Sequence, residues 1–428
     1  MKNIPYFIKF IIKSFFFFLL NININATPVP IWIITPTPTP NPVPTIDPLP
    51  TLFFTETQKL LITGYSLSIS GDIAVIGAVD DNSAYIFEKV GGIWTQTQKL
   101  VGSDVADHNN FGCSVFILGN TAIIGDRGDD EKGENSGAAY VFKQIDGLWT
   151  QTQKLVASDG NSNKYFGCAI SISGDTALIG ACGSNYWYLS SGPSYIFEEI
   201  DGIWTEKQKL LANDIVNNYG FGCSVSISGN KSVIGDCLGG TGSAYIFEKI
   251  DGIWTQTQKL LANDGINWDL FGTSVSISEN TVIVGSHGND NNGTDTGAAY
   301  IFEKNDEIWT QTQKIMASDS NYRDYFGWSV SISNGKAVIG AFGEDVGRGS
   351  AYIFEKINGT WIQTKNLLAS DGTGNDDLFG YSVSISGDIT IIGAINGSSV
   401  YVFDLSLLPT PTPTPTVVPV SLNYWKAY

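Results

Sequence analysis

"FGCSVSISGNKSVIGDCLGGTGSAYIFEKIDGIWTQTQKLLANDG" runs from Phe221 to Gly265, and a near copy begins at Phe271 with "FGTSVSISENTVIVGS". Within each copy, "SVSIS" alternates small polar and β-branched residues, the period-2 mark of a strand. "GN" or "GD" follows as a tight hairpin turn. "KSVIGD" is a mostly apolar second strand, "SAYIFEK" a third, and "IWTQTQKL" a fourth whose Thr, Gln and Lys suit a water-exposed edge.

Aligned on the glycine that follows the phenylalanine, the copies fall at Gly64 (in "TGYSLSIS"), Gly112, Gly167, Gly222, Gly272, Gly327 and Gly380, 48 to 55 residues apart. Seven such units in series predict an all-β fold, a seven-bladed β-propeller of four-stranded antiparallel blades. The ends supply an independent test. The seventh copy stops after "SSVYVFDLS" without its "IWTQTQKL", while "LFFTETQKL" (Leu52 to Leu60) precedes the first copy. Phe54 then takes the position of Trp94 and Trp149. The segment from Phe53 to Leu61 is expected to complete the seventh blade and close the ring.

These lines resemble the FG-GAP repeats of integrin α-subunit head propellers, and more closely the secreted FG-GAP-like repeat proteins, over roughly Phe53 to Leu405. The resemblance implies the propeller and an extracellular recognition or adhesion role. Integrin-type repeats carry an Asp/Asn calcium loop between the first and second strands. Here that link is only "SGDI", "SGDT", "SGNK" or "SENT", so calcium is not implied at that place.

The flanks read differently. Lys2, Lys9 and Lys13, the apolar run Phe15 to Leu20 and the small residue Ala26 follow the order of a secretion signal, with an uncleaved anchor as the alternative. The expected division is 1–26 signal peptide, 27–51 Pro/Thr-rich linker, 52–405 propeller and 406–428 Pro/Thr-rich tail. Alternating Pro and Thr favours a stiff extended spacer and offers hydroxyls for O-glycosylation. A net charge of −18 argues against a nucleic-acid partner. With only two histidines, His108 and His287, in different repeats, imidazole chemistry has little to work with.

Two kinds of long, variable segment share one face of a propeller: the loop after the second strand and the link between blades. Binding is expected there. Tyr186, Trp187, Tyr188 and Trp268 are candidate anchors for an extracellular protein or glycan, or covers for their own loops. Arg127 and Asp129 bracket an Arg-Gly-Asp tripeptide of the kind that integrins recognise. An Asp opens six links: Asp104, Asp159, Asp214, Asp264, Asp319 and Asp371. A second precedes the next "FG" at Asp269, Asp324 and Asp377. The pairs Asp264/Asp269, Asp319/Asp324 and Asp371/Asp377 either hold Ca2+ with nearby carbonyls or hold their own turns. The repeated Trp94, Trp149, Trp204, Trp254, Trp309 and Trp361 are expected to pack.

Cys168 and Cys182, and Cys223 and Cys237, lie 14 residues apart across a hairpin. A secreted chain would pair them as disulfides and leave Cys113 free; the alternative is five small core thiols. No residue stands out as catalytic. The preferred reading is a secreted or surface recognition module. An extracellular carbohydrate-active enzyme using funnel carboxylates and a structural surface protein are the alternatives.

Overall fold

The computed structural model describes residues 53–54, 56–105, 110–183, 192–214, 220–237, 240–372 and 376–407. The alternating segments fold as expected, into seven sheets of four antiparallel strands. Blade 1 is Ser66–Ser70, Ile73–Ala78, Ser83–Val90 and Ile93–Leu100, in spatial as well as chain order. Blades 2 to 6 repeat that order, ending with Thr360–Leu367. First strands of neighbouring blades meet all round the ring, the seventh against the first included.

The seams explain the constant residues. Each "FG" phenylalanine from Phe111 to Phe379 is fully buried. It lies edge-on to the Tyr and Phe of its own third strand, as Phe111 does to Tyr140 at 5.3 Å. The glycine that follows adopts a left-handed φ, +90° at Gly112, that a side chain would strain. Its carbonyl accepts a hydrogen bond from the first-strand serine of the preceding blade: Ser66 to Gly112 at 2.8 Å, Ser224 to Gly272 at 2.8 Å, and Ser382 to Gly64 at 3.0 Å across the closing seam. The second "SVSIS" serine adds another link, with Ser384 Oγ accepting from the Ile69 amide at 3.2 Å.

At the rim, the outer-strand Gln grips the backbone of the next blade's Trp in both directions. Gln258 Nε2 donates to Trp309 O at 2.6 Å, and Trp309 N donates to Gln258 Oε1 at 2.9 Å. The six repeated Trp rings are 2–4% exposed, so they pack as expected.

Ring closure by the N-terminal strand holds, with a correction to its extent. Only Gln58–Leu60 joins blade 7, antiparallel to Val400–Val402. Phe53–Phe54 pairs in parallel with Asn366–Leu367 of blade 6. The outer strand of blade 6 also differs from the rest: it reads "TWIQTKNL" and carries Lys365 where the others carry the gripping Gln. That seam has no Gln–Trp clasp, and the incoming chain bridges it instead.

Candidate functional site

Register fixes where side chains gather. Pairing between the first two strands slips after the "FG" phenylalanine, between Phe111 and Ser114, Phe166 and Ala169, Phe221 and Val225, and Phe379 and Ser382. Such a bulge re-aims the residue after the glycine. These positions hold Tyr65, Cys113, Cys168, Cys223, Thr273, Trp328 and Tyr381. The position just past each second strand lies beside them and holds Val79, Arg127, Cys182, Cys237, His287, Phe342 and Ile395. Both sets stand at the loop-rich end of the innermost strands, and together they form a collar.

One side of the collar is aromatic. His287 meets Trp328 at 4.7 Å, and Trp328 meets Phe342 at 4.8 Å and Tyr381 at 5.5 Å. Tyr325 stacks on Phe342 at 5.1 Å, and Tyr381 meets Tyr65 across the closing seam at 5.8 Å. All but His287 keep part of their surface in water. Burial pushes His287 down to about 4, so its ring is neutral at pH 7.

The other side is thiol. Arg127 interacts electrostatically with Cys113, Tyr65, Cys182 and Cys168, and Cys223 in turn with Cys237 and Cys182. Burial pushes Cys113 up to about 11 and holds Cys168 and Cys223 well above the ordinary thiol range. Cys182 is pulled down, first by its hydrogen bond with Cys168, with Arg127 adding to the pull. All five cysteines are free thiols in this structure, and the Cys182 amide lies 3.0 Å from the Cys168 sulfur.

The Asp that opens a link also clasps side chains of the blade that follows, while Asp269 and Asp324 hold their own turns, one of the two readings expected. Asp104 accepts from the Tyr140 hydroxyl at 2.8 Å and pairs with Lys154 at 2.7 Å. Asp264 does the same with Tyr300 at 2.9 Å and Lys314 at 2.7 Å, and Asp371 with Tyr401 and Lys59. In each case a lysine ammonium lies against the carboxylate. Asp269 is buried against the Ile266 amide and Asn289, and Asp324 takes the Asn321 amide. Asp377 uses its backbone carbonyl to cap the Gly397 amide at 3.4 Å. Among the described residues, no group of three or more His, Cys, Asp or Glu is arranged to hold a metal ion.

The Arg-Gly-Asp tripeptide is not presented as a unit. Asp129 is 3% exposed and committed to Lys154 at 2.8 Å and Tyr140 at 3.2 Å. Trp268 is 78% exposed and belongs to no ring contact of the collar. Tyr186, Trp187, Tyr188 and His108 lie outside the described residues.

Blade 6 breaks the Asp–Tyr–Lys pattern, because Asn366 replaces the lysine. Asp319 bonds Asn366 at 3.1 Å and Tyr352 at 3.0 Å, and Tyr352 also donates to Glu344 at 2.6 Å. Burial, with Asp319 and Asp324 nearby, pushes Glu344 up to about 7. Between its ordinary 4.5 and that value, the folded chain holds a proton that the unfolded chain releases. Stability therefore falls as pH rises through this window, and the cost is complete above it. Glu344→Gln keeps an acceptor for Tyr352 and removes the charge. The variant is expected to gain on the order of 1–3 kcal/mol over the parent at pH 8 and nothing at pH 4.5. Urea midpoints at the two pH values check this; a loss at pH 8 would mean an ionised, usefully paired Glu344.

Seven four-stranded blades around an axial collar define a repeat-type β-propeller. The FG-GAP repeat pattern matches residues 94–142, 149–197, 204–247, 254–302, 309–354 and 361–403, and the chain belongs to the FG-GAP repeat family. Each match runs from an outer strand into the third strand of the next blade, so the family unit spans a seam. Among curated proteins, none matches this sequence. Of solved structures, hydrazine synthase from Kuenenia stuttgartiensis is similar with a TM-score of 0.56 and 13% identity, over 80% of this chain and 96% of that one. A protein from Lactobacillus plantarum gives a TM-score of 0.48 and 13% identity, over 72% and 85%. The first likeness shows the fold alone.

Proposed function

We propose that this chain is an extracellular recognition module that binds glycan or protein through the loop-rich face of its propeller, with adhesion as its broad role. The observation carrying the reading is the aromatic arc. Tyr65, Tyr381, Trp328, Phe342 and Tyr325 stand part-exposed and in mutual contact at the collar, where a packed core would have covered them. Amphipathic rings at a concave mouth are common anchors for ligands. Export is read from residues 1–26, and no helix among the described residues is long and apolar enough to cross a membrane.

The test is a glycan and extracellular-protein array probed with the secreted protein and with a Trp328→Ala/Tyr381→Ala variant. The variant is expected to bind its ligand about tenfold or more weakly, since buried aromatic anchors are worth about 2 kcal/mol or more. Retention of full affinity by the variant would move the site off the collar. Turnover of a glycan, in place of simple retention, would place the chain among carbohydrate-active enzymes. Peptide maps of the same secreted material without reductant report export. Cys168–Cys182 and Cys223–Cys237 links are expected, and five reduced thiols would argue for a reducing compartment.

A further inference from the structure

We propose that the collar is a subsite for a saccharide bearing a single carboxylate: Arg127 takes the carboxylate, and Tyr65, Tyr381 and Trp328 take the sugar ring faces. This rests on the glycan form of the recognition reading and narrows it to one ligand class.

Arg127 is the anomaly that calls for it. Its side chain is half-buried at the collar, and no hydrogen bond or ion pair of its guanidinium exists among the described residues. The groups that interact with its charge include Cys113, Cys168, Cys182 and the Tyr65 and Tyr165 phenols, none of which offers a full counter-charge. The adjacent Asp126 carboxylate is fully buried and accepts from the Gly128 amide at 3.3 Å. Most other cations at the same end of the blades are paired. The lysines at the end of the outer strands in blades 1 to 5 and 7 each meet an Asp, and Arg323 lies 3.7 Å from Asp295. A partly desolvated cation without a partner is costly. A planar guanidinium fork matches a carboxylate in two parallel bonds.

Neighbouring residues and overall charge narrow the ligand. Tyr65 joins the two halves: it meets Tyr381 at 5.8 Å, and the Ser66 hydroxyl next to it bonds Gly112 of blade 2, the blade that carries Arg127. The stacking surface Trp328–Tyr381–Tyr65 therefore runs to the blade that carries Arg127, as a sugar ring with a carboxylate on its edge requires. The chain carries a net charge of −18, and the loop beside Arg127 exposes Asp130, Glu131 and Glu134. A polyanion would be repelled by this field far more strongly than one carboxylate paired with Arg127. A terminal acid sugar fits both conditions better than a polyuronate or a strongly acidic peptide.

Calorimetric titration of the secreted full-length protein with a glucuronic-acid-terminated oligosaccharide and its glucose-terminated counterpart tests this. The acid form is expected to bind about tenfold or more tightly, as a charge-assisted pair would give. Arg127→Gln should erase that preference. Arg127→Lys should keep part of the preference, which separates lost charge from lost fold. Equal affinity for the two saccharides, both lost in Trp328→Ala, would overturn the carboxylate subsite while the recognition reading stands. Binding of neither saccharide would overturn both the subsite and the glycan reading. An acidic peptide held through Arg127 in their place would overturn the saccharide assignment.

Discussion

A chain that starts after Leu61 will lose its folded ring, whereas one that starts after Pro50 will melt like the whole protein. The difference lies in a handful of residues. Gln58–Leu60 is the outer strand of blade 7, paired with Val400–Val402, and the Thr57 amide adds a bond to Val402 O at 2.8 Å. Gln58 grips Trp94 of blade 1 with bonds of 2.6 and 2.7 Å. Lys59 pairs with Asp371, and Glu56 accepts from the Ser370 amide at 3.1 Å. Leu60, 4% exposed, packs with Ile69, Ile76, Trp94 and Val402 across the first and seventh blades. Losing the Leu60 burial alone costs about 2–5 kcal/mol, and each lost hydrogen bond adds about 1 kcal/mol. The total approaches the ~5–15 kcal/mol that holds a domain together. The deletion also leaves Ser399–Asp404 as an open edge, which invites pairing between molecules. Thermal melts and size-exclusion profiles of the two truncations decide the matter, and matching behaviour would sink the closure argument.

That strand was legible before the structure because it repeats. "TETQKL" matches "TQTQKL" at every position but the second, where Glu56 replaces Gln, and a ring explains why the copy stands at the wrong end of the chain. Its first half was not legible. Phe53 and Phe54 look like an ordinary strand start, and they pair with blade 6, where Lys365 stands in place of the usual Gln, more than three hundred residues away. The Asp–Tyr–Lys clasps were legible in principle. Asp104 precedes Tyr140 by 36 residues and Lys154 by 50, and the same spacings recur at Asp159 and Asp264. Reading each Asp within its own loop concealed partners that arrive one blade later.

The collar escaped for the opposite reason. Repeats draw the eye to constant positions, which are structural, and then to long loops, which look functional. Tyr65, Trp328, Tyr381 and Phe342 are neither. They are variable residues placed immediately after constant ones; the position after the glycine holds Tyr, Cys, Thr or Trp, and in four blades the pairing slips there. Arg127 came to notice for its place in a tripeptide whose Asp129 is buried, while its own environment is the thiol side of the collar. The general signal is a position that changes chemistry from blade to blade while its neighbours do not.

The constant neighbours make the second large prediction. Gly235→Ala is expected to cost more than 3 kcal/mol, an estimate for overpacking against backbone that cannot yield. Gly235 has no left-handed φ, and it sits mid-strand opposite Ala244, so alanine suits its own conformation. The obstacle is blade 5. A Cβ on Gly235 would collide with the Gly272 carbonyl and with Ser224 Oγ, which already share a 2.8 Å hydrogen bond across the seam. Gly77, Gly125, Gly180, Gly285 and Gly340 face the same carbonyl of their own next blades, so the missing methyl sets how closely all these blades approach. Gly229→Ala is the control. It lies in the hairpin turn of the same blade at φ +57°, with nothing within 4 Å of a new methyl, and should cost only about 1–2 kcal/mol of left-handed strain. Urea unfolding of the two variants side by side separates strain within a residue from crowding between blades. If Gly235→Ala proved no worse than Gly229→Ala, the blades would have room to move apart, and the glycine contact would not be what sets their spacing.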